Sequence, residues 1–575
     1  MSIFDLFAIK RRLDAPWEKF YNKEELDEPI RDISIYDQVR ESALKFPTNR
    51  AILYEGNSIS YKKFITHVDN VAKGLDRLGV SKGDIVTVLL PNIPEVLYYL
   101  YALNKIGAIA NMTHPLSAEE EIKQTLLSTN SKYLIIYDQQ YSKIKNFISN
   151  IDIEKVIYVS PGTSLKPFKR MAYNISTKGK YKKFPRNYLY LDHKTFYRHA
   201  KKLRNKEFET FGKNTPSVIL HSGGTSGKPK NVVIQNRAFV FGARGEEIDL
   251  VRLERGDSAL AIMPNFHGFG LSVLMHTPLA LGCSTILVPR FNAKKFDTLF
   301  KKTRPTCVLG VPTLFEALIN SKNEKNLDLS FLKYVISGGD LLPKPLEDKI
   351  NKYLLEHNSS ARITQGYGLS EALACVTMAH DHINKSGSVG IPLAGNHVKI
   401  IDPATRKAKK YKEVGEIVVH SKALMMGYLN DESETNDALQ MHDDGHVWLH
   451  TGDLGYMDKD GFLFYKGRIK RMIITSGYNV YPSHIEEVIE KHPAVLQCTV
   501  VGMPHPYKQE VPKAFIVLKE GYSRVETRPE LMEYCKKNLA KYMIPYEIVF
   551  RRSLPKTKLG KVDFGTLSND EGEDD

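Results

Sequence analysis

The sequence predicts an α/β protein with a large N-terminal domain and a smaller α+β C-terminal domain. Short aliphatic runs alternate with helical stretches as far as Ile336, a pattern typical of layered, mostly parallel sheets covered by helices. With 575 residues and 42% hydrophobic content, the chain is long enough to bury more than one core. The chain shows no internal repeat, so the sequence favours two unlike units.

Each predicted element follows from a local apolar run. The predicted strands of the large domain are residues 85–90, 134–137, 156–159, 218–220, 307–309 and 335–336. Residues 97–110 are nearly all apolar and are predicted as a core helix. Residues 416–420 and 462–465 predict a small β-rich subdomain, and residues 485–489, 498–501 and 514–518 predict the α+β unit.

One long apolar segment resembles a membrane span. Residues 258–289 contain no charged side chain apart from His267 and His276, and the segment is long enough to cross a bilayer. Proline and glycine interrupt it repeatedly, so we interpret it as a buried strand, turn and helix.

The net charge of +15 is concentrated in one segment. Residues 161–206 hold fourteen Lys or Arg against one acid, Asp192, so this insert contributes +13. A basic strip of this kind could dock on anionic lipid or nucleic acid, and the alternative is a solvated loop of low order. We favour the loop, expect no nucleic acid partner, and consider membrane contact the more sensible use of such a strip.

Cysteine usage and the N-terminus favour a cytoplasmic protein. The five cysteines are scattered without a Cys-x-x-Cys pair, which indicates reduced interior thiols. The first residues show no cleavable signal, although residues 3–7 could form a brief amphipathic helix on a membrane surface. The last residues form an acidic tail.

A glycine-rich loop carries the strongest chemical signal. Residues 222–230 read SGGTSGKPK directly after the apolar run 218–220. Backbone N–H groups, hydroxyls and lysines suit a bound phosphate, although a flexible Gly/Ser turn is the alternative. The loop is not an ordinary P-loop, because Pro229 follows Lys228 where Ser or Thr is required. The candidate phosphate ligands are Ser222, Gly223, Gly224, Thr225, Ser226, Gly227, Lys228 and Lys230.

Four further segments follow in a fixed order: QGYGLSE at 365–371, TGD at 451–453, YKGR at 465–468 and LPKTKLGKV at 554–562. Together with the loop, they resemble the adenylate-forming (AMP-binding) superfamily of acyl-CoA synthetases, firefly-type luciferases and peptide-synthetase adenylation domains. The resemblance covers nearly the whole chain. Ser370 stands where the family carries threonine.

The resemblance implies a domain layout and a reaction. Residues 1–468 would form the AMP-binding domain, 469–472 the hinge, and 473–575 a mobile C-terminal domain carrying the lysine loop. ATP and Mg²⁺ would convert a carboxylic acid to acyl-AMP, and coenzyme A would then accept the acyl group.

The resemblance also assigns roles to residues around the nucleotide. The glycine-rich loop would hold the β- and γ-phosphates, with Glu371 as a catalytic residue and the Mg²⁺ ligand. Asp453 would accept both ribose hydroxyls. For Glu371 alone, a surface glutamate capped by Ser370 is the alternative. The remaining candidates around the adenine are Gly338, Gly339, Asp340, Gln365, Gly366, Tyr367 and Ser370.

Lys561 is the residue that the resemblance singles out as catalytic, because its ammonium group would bridge the carboxylate and the α-phosphate. Arg468 would contact the ribose or a phosphate, and Lys470 occupies the hinge position. Gly477 would meet the pantetheine of coenzyme A. His267 would lie near the substrate carboxylate, with a hydrogen-bonded core imidazole as the alternative.

We predict a medium- or long-chain fatty acid as the substrate. Acetate-activating relatives carry a tryptophan where this chain has Gly368, so we expect an open channel lined by Phe266, Phe269, Leu271, Val273 and Leu274. Alternatives within the fold are an aromatic acid or a carrier-protein thiol acceptor. A catalytically silent protein that binds membrane or RNA is the alternative of another class.

Overall fold

The structure is a computed structural model. It describes residues 13–22, 26, 29–222, 230–244, 252–292, 295–320, 327–380, 382–475, 478–557 and 561–570. Six of the phosphate-loop candidates, Gly223 to Lys228, and Gly477 lie outside the described residues, as does the N-terminal segment 3–7.

The strands are numbered in chain order. They are β1 Arg50–Tyr54, β2 Asn57–Ser60, β3 Ile85–Leu89, β4 Ile109–Met112, β5 Tyr133–Tyr137, β6 Lys155–Val159, β7 Tyr190–Asp192, β8 Pro216–Ser222, β9 Lys230–Gln235, β10 Ser258–Ala261, β11 Ser284–Leu287, β12 Cys307–Gly310, β13 Tyr334–Gly338, β14 Ile363–Tyr367, β15 Thr377–Met378, β16 Ile391–Pro392, β17 His397–Ile401, β18 Gly415–His420, β19 Gly427–Tyr428, β20 Leu439–Met441, β21 Val447–Met457, β22 Leu463–Arg468, β23 Ile473–Thr475, β24 Tyr478–Val480, β25 Val495–His505, β26 Gln509–Leu518 and β27 Glu547–Arg551.

The α-helices are numbered in the same way. They are α1 Ile35–Lys45, α2 Tyr61–Arg77, α3 Pro94–Ile106, α4 Glu119–Ser128, α5 Tyr141–Ile144, α6 Pro167–Thr177, α7 His193–Ala200, α8 Asn236–Gly242, α9 Thr277–Ala280, α10 Phe296–Thr303, α11 Pro312–Ile319, α12 Lys344–Glu356, α13 Glu432–Ala438, α14 Pro482–Ile489, α15 Arg524–Asn538 and α16 Phe564–Ser568. A π-helix spans Phe269–His276, and short 3₁₀ turns include Ser370–Ala372 and Ile469–Arg471.

Two mostly parallel sheets form the body of the N-terminal part. The first has the order β19-β9-β8-β4-β3-β5-β6-β7, with antiparallel pairing only at the β19, β9 and β8 end. The second has the order β16-β15-β14-β13-β12-β10-β11-β1-β2, with parallel pairing from β14 to β1. The predicted layered α/β fold is confirmed.

Two smaller sheets complete the chain. Strands β17, β18, β21, β20 and β22 form an antiparallel sheet, the predicted β-rich subdomain. Strands β24, β23, β26, β25 and β27 form the sheet of the C-terminal unit, and α14 and α15 pack with it around their own apolar cluster. The predicted small C-terminal unit is therefore present.

The largest core lies around α3, in which nearly every residue is buried. The sequence predicted that this helix would extend to residue 110, but it ends at Ile106. The next residue, Gly107, adopts a left-handed φ of 82°. Residues 109–112 then form β4. Glycine at this position ends the helix because it alone enters that conformation without strain.

The basic insert is more ordered than we expected. It contains α6, β7 and α7, so the interpretation as a loop of low order is wrong. Aromatic contacts tie it to the main core: the hydroxyl of Tyr99 lies 2.8 Å from Nδ1 of His193, and the ring of Phe196 packs beside Tyr99. Buried aromatic rings on an otherwise polar segment explain the order.

The apolar segment 258–289 forms β10, the π-helix, α9 and β11, as the strand-turn-helix interpretation requires. In the part of the chain that the structure describes, each helix is either too short or too polar to cross a membrane.

Helices α2 and α7 cross closely at Gly74, and this contact gives a stability prediction. A Cβ atom at Gly74 would lie 2.6 Å from Cζ of Phe196 and 2.8 Å from Cβ of Ala200. Gly74→Ala should lower the free energy of unfolding by about 1–3 kcal/mol, because steric overlap outweighs the gain in helix propensity. Urea denaturation followed by circular dichroism measures the change.

Gly242→Ala in α8 is the matched control. The nearest atom to its Cβ would be Oγ of Ser272 at 3.9 Å, so this variant should be neutral or slightly stabilised. Equal stability of the two variants would contradict the close crossing.

Candidate active site

The glycine-rich loop connects two strands at the edge of the first sheet. Ser222 ends β8, Lys230 begins β9, and the two residues pair across the antiparallel ladder. The Lys230 ammonium forms an ion pair with Glu434 and lies 4.6 Å from the ring centre of Tyr428. Strand pairing therefore fixes the positions of Ser222 and Lys230 at the two ends of the loop. The Lys230 side chain is held by Glu434 and Tyr428.

Glu371 lies in the 3₁₀ turn Ser370–Ala372, close to the same lysine. Its Oε1 accepts a hydrogen bond of 3.1 Å from the Tyr428 hydroxyl, and its carbonyl accepts one of 2.8 Å from the N–H of Met425. Tyr428 thus links Glu371 to Lys230. The residue before the turn is Leu369 and no side chain caps the turn, so a glutamate capped by Ser370 is not what the structure shows.

Two neighbouring parallel strands end at the adenine-site candidates. Gly338 ends β13 and pairs with Gly366 of β14, and Tyr367 ends β14. Gly339 follows with a left-handed φ of 80°. The carboxyl ends of adjacent parallel strands meet at one sheet edge, which is where α/β folds bind ligands.

The Gln365 side chain is buried, and the Gln365 carbonyl accepts a 2.8 Å hydrogen bond from the N–H of Ala379. A Cβ at Gly366 would lie 3.1 Å from the carbonyl oxygen of Thr377, so glycine permits this close strand approach. These two residues therefore support the site through the backbone ladder.

Asp453 lies inside β21. Gly452 keeps a φ of 67° within this strand, and the N–H of Asp453 donates to Oγ1 of Thr451 at 3.0 Å. The Tyr367 hydroxyl donates to Oδ2 of Asp453 at 2.7 Å. This bond orients the carboxylate, and burial beside Asp453 holds the pKa of Tyr367 well above its usual value.

Arg468 at the end of β22 completes an ion pair with this carboxylate. Its Nε lies 3.2 Å from Oδ1 of Asp453, and the anion raises the pKa of Arg468. Burial raises the pKa of Asp453, while Arg468 opposes that change. Oδ1 is buried and accepts no hydrogen bond from any described residue. A buried acceptor with spare capacity suits hydroxyl groups of a ligand.

Lys561 comes to this cluster from the C-terminal unit. Burial lowers the pKa of its amine, and the charges that act on it most strongly are those of Asp340, Arg468 and Asp453. The Lys561 carbonyl accepts a 2.7 Å hydrogen bond from the N–H of Thr557, which closes the lysine loop. The structure therefore brings together Lys561, Asp340, Asp453 and Arg468, which are far apart in sequence.

His267 lies close enough to Lys561, and to His221 near the end of β8, to interact with both electrostatically. Burial, and to a smaller extent the charges of Lys561, His114 and His221, lower the pKa of its imidazole to about 4. Its Nε2 is buried and bonds to no described residue, which does not fit a hydrogen-bonded core imidazole. The neutral ring precedes the π-helix, an element common at functional sites.

Gly368 has a structural role that the sequence argument missed. A Cβ there would lie 1.1 Å from the carbonyl oxygen of Ala374. Leu373 and Ala374 both adopt positive φ, at 50° and 88°, which brings the chain back against Gly368. Glycine is required by this backbone contact, so its identity does not by itself indicate an open channel.

The predicted apolar wall is only partly exposed to the site. Leu271 and Leu274 are fully buried in the core. Phe269 and Val273 are partly exposed, and the ring of Phe269 would touch a Cβ at Gly338 at 3.6 Å. The nearest apolar surface to the adenine-site candidates is therefore Phe269.

The proposed hinge is a short 3₁₀ turn, Ile469–Arg471, which includes Lys470. Several contacts join the chain on its two sides. Nζ of Lys466 lies 2.8 Å from Oε1 of Glu487, and the Ser483 hydroxyl donates to the carbonyl of Lys466. The Arg471 guanidinium lies 2.9 Å from Glu486. These contacts hold the C-terminal unit with Lys561 facing Asp453.

Sequence reasoning missed Tyr428 and Glu434, which contact Glu371 and Lys230. Tyr428 lies in the two-residue strand β19, which pairs with β9. Two residues are too few to show a periodicity, so only the pairing of distant strands could have identified them.

Known protein families match both parts of the chain. Residues 39–429 match the AMP-binding enzyme family, and residues 484–561 match the AMP-binding enzyme C-terminal domain. The chain belongs to this family of adenylate-forming enzymes. The family implies a carboxylic acid, ATP and coenzyme A as substrates.

Individual relatives differ in the acid that they are named for. The long-chain-fatty-acid–CoA ligase of Bacillus subtilis (strain 168) is 31% identical over 560 residues, covering 95% of this chain and 96% of the relative. The probable 4-coumarate–CoA ligase 1 of Dictyostelium discoideum is 29% identical, covering 89% and 91%. The fold also matches o-succinylbenzoate CoA synthetase from Bacillus subtilis with its acyl-adenylate intermediate, at a TM-score of 0.73, 24% identity, and coverage of 94% and 99%.

The position of His267 predicts a pH response. The imidazole should stay neutral down to about pH 5 and protonate with a pKa of about 4. An unfolded chain protonates histidine near pH 6.5, so the contribution of His267 to stability is complete above that pH and is lost as pH falls towards 4. ¹⁵N NMR of histidine-labelled protein measures the titration.

Lys561→Met should raise this pKa, because a nearby positive charge disappears, but the pKa should remain below 6.5 because burial persists. The control, Lys556→Met in the same loop, should leave it unchanged. A His267 titration that is identical in all three proteins would contradict the proximity of Lys561.

Proposed function

We propose that this protein is an ATP-dependent fatty-acyl-CoA ligase that forms acyl-AMP and then acyl-CoA, releasing pyrophosphate and AMP. The observation that carries the proposal is the position of the half-buried Lys561, whose amine interacts electrostatically with Asp340, Asp453 and Arg468. A cation in this place can offset the repulsion between two reacting anions.

The proposed chemistry has two balanced steps. A carboxylate oxygen of the acid attacks the α-phosphorus of ATP, the bond to the bridging oxygen breaks, and pyrophosphate leaves. The coenzyme A thiolate then attacks the acyl carbon, and AMP leaves with the oxygen. Lys561 would stabilise the negative charge that develops in the first step.

Asp453 would accept the ribose hydroxyls, because its buried Oδ1 has spare hydrogen-bonding capacity. Arg468 balances the charge of Asp453 and would contact the ribose or a phosphate. Gly338, Gly339 and Tyr367 would border the adenine. The phosphate loop would complete the nucleotide site, with Lys230 already placed beside Tyr428.

The donor set around Glu371 fits a magnesium ion. Magnesium takes one or two carboxylates and completes its shell with phosphate oxygens and water. In the part of the chain that the structure describes, no cluster of three or more His, Cys, Asp or Glu forms a separate metal cage. Glu371 would therefore hold the ion, which would neutralise phosphate charge.

The fatty-acid assignment is supported by the Bacillus subtilis relative and by the partly exposed apolar side chains of Phe269 and Val273. The coumarate relatives favour an aromatic acid as the second candidate. Coenzyme A is the proposed acceptor, with Gly477 at the thiol-delivering loop, and a carrier-protein thiol is the rival. A cytoplasmic location fits these soluble co-substrates.

Lys561→Ala tests the mechanism. It should reduce carboxylate-dependent ATP–pyrophosphate exchange by about 10²–10³-fold, because one preorganised charge is lost, while ATP binding by calorimetry stays mostly intact. The control Lys556→Ala should retain exchange. Unchanged exchange in Lys561→Ala would contradict the catalytic role of Lys561, and no exchange in the unmodified protein would favour the catalytically silent binding protein.

A screen of pyrophosphate release tests the substrate class. Acetate, octanoate, palmitate and benzoate are compared with coenzyme A or a holo-carrier protein as acceptor. Octanoate or palmitate should be turned over fastest with coenzyme A, because an apolar wall stabilises an alkyl chain. Turnover of benzoate alone would move the assignment to aromatic acids.

A further inference from the structure

An exposed amphipathic surface lies on the basic insert, away from every residue assigned above. We call it the α6 surface. It consists of an apolar stripe, Phe168, Met171 and Ile175, and a basic rim formed by Lys166, Lys178, Lys180, Lys182, Lys183 and Arg186.

The apolar stripe faces solvent. Phe168 is 76% exposed, Met171 57% and Ile175 68%, and none of the residues of α6 is buried. At about 100° per residue, the three side chains fall within about 60° of one another around the helix axis. One side of α6 therefore presents three apolar side chains to solvent. A helix surface that contacts only water normally carries polar residues.

The opposite side of α6 is attached to the body of the protein. The Tyr173 hydroxyl accepts a 2.6 Å hydrogen bond from Gln139, and its ring packs against the main core. Nζ of Lys169 lies 3.1 Å from the Glu55 carboxylate. The helix is thus fixed, and its orientation directs Phe168, Met171 and Ile175 outward.

The rim is strongly cationic. Its six side chains are all exposed, and none forms an ion pair with any residue that the structure describes. Tyr188, 84% exposed, follows the rim residue Arg186 by two positions in the chain, and the Lys155 ammonium lies 5.8 Å from its ring centre. Amphipathic aromatic rings favour the boundary between water and lipid.

We propose that the α6 surface docks this protein on an anionic lipid bilayer. The apolar stripe would enter the boundary between headgroups and acyl chains, and the basic rim would contact the headgroup charges. Helix α6 has 11 residues and is about 16 Å long, so it would lie in the interface plane rather than span the bilayer. An RNA partner would contact the basic rim but leave the apolar stripe exposed to water. A second copy of this protein would place two cationic rims against each other, and they would repel.

Vesicle flotation with the full-length protein tests this surface. Vesicles with equal amounts of phosphatidylglycerol and phosphatidylcholine should bind the protein, and pure phosphatidylcholine vesicles should not. Phe168→Ser, Met171→Ser and Ile175→Ser combined should weaken binding by about tenfold or more, because the inserted area is lost. Equal binding to both vesicle types, or no binding to the anionic ones, would overturn the proposal.

A matched control removes exposed apolar side chains elsewhere. Leu44, Leu355 and Val525 are 67%, 74% and 83% exposed, and serine at all three positions should leave vesicle binding unchanged. Equal loss in the control and the α6 triple variant would overturn the role of the stripe. Both triple variants should retain the unmodified circular dichroism melting curve.

The basic rim has a separate test. Replacing Lys178, Lys180, Lys182 and Lys183 with Gln, or raising salt to about 0.5 M, should also weaken binding to anionic vesicles. Tighter binding to poly(A) RNA than to vesicles, or dimers in sedimentation that disappear in the α6 triple variant, would assign the surface to another partner. Because vesicle binding is measured without substrates, these results are independent of the ligase proposal.

Discussion

The candidate active site depends on a charge balance around the half-buried Lys561. The Lys561 amine is buried, which by itself disfavours its cationic form. Asp340 and Asp453 oppose that loss of charge, while Arg468 adds to it. Two carboxylates from different parts of the chain therefore favour the cationic form against desolvation, and this interaction depends on how the two units meet.

The same balance explains the support around Asp453. Tyr367 donates to one carboxylate oxygen and Arg468 faces the other, so the carboxylate is oriented before any ligand arrives. Both partners lie at strand ends, on β14 and β22, where the backbone is held by neighbouring strands. Preorganisation of this kind reduces the reorganisation that binding would otherwise require.

Much of the fold and part of the site could be predicted from local sequence. Strands such as β5 and β6 are continuous apolar runs, and Gly338 and Tyr367 end such strands, so their meeting at one sheet edge follows from parallel pairing. Tyr428 could not be predicted, because it reaches Glu371 through a two-residue strand. The order of α6 and α7 was also missed, because it comes from tertiary contacts such as Phe196 on Gly74.

The turn around Ala374 limits how this enzyme can diversify. Gly368, Leu373 and Ala374 depend on one another, since the first has no room for a side chain and the other two already hold left-handed backbone. A substitution in that turn disturbs the chain path itself, including the neighbouring Gly268. Descendants of this gene would therefore change more readily at partly exposed side chains outside the turn, such as Val273, than at the residues that form it.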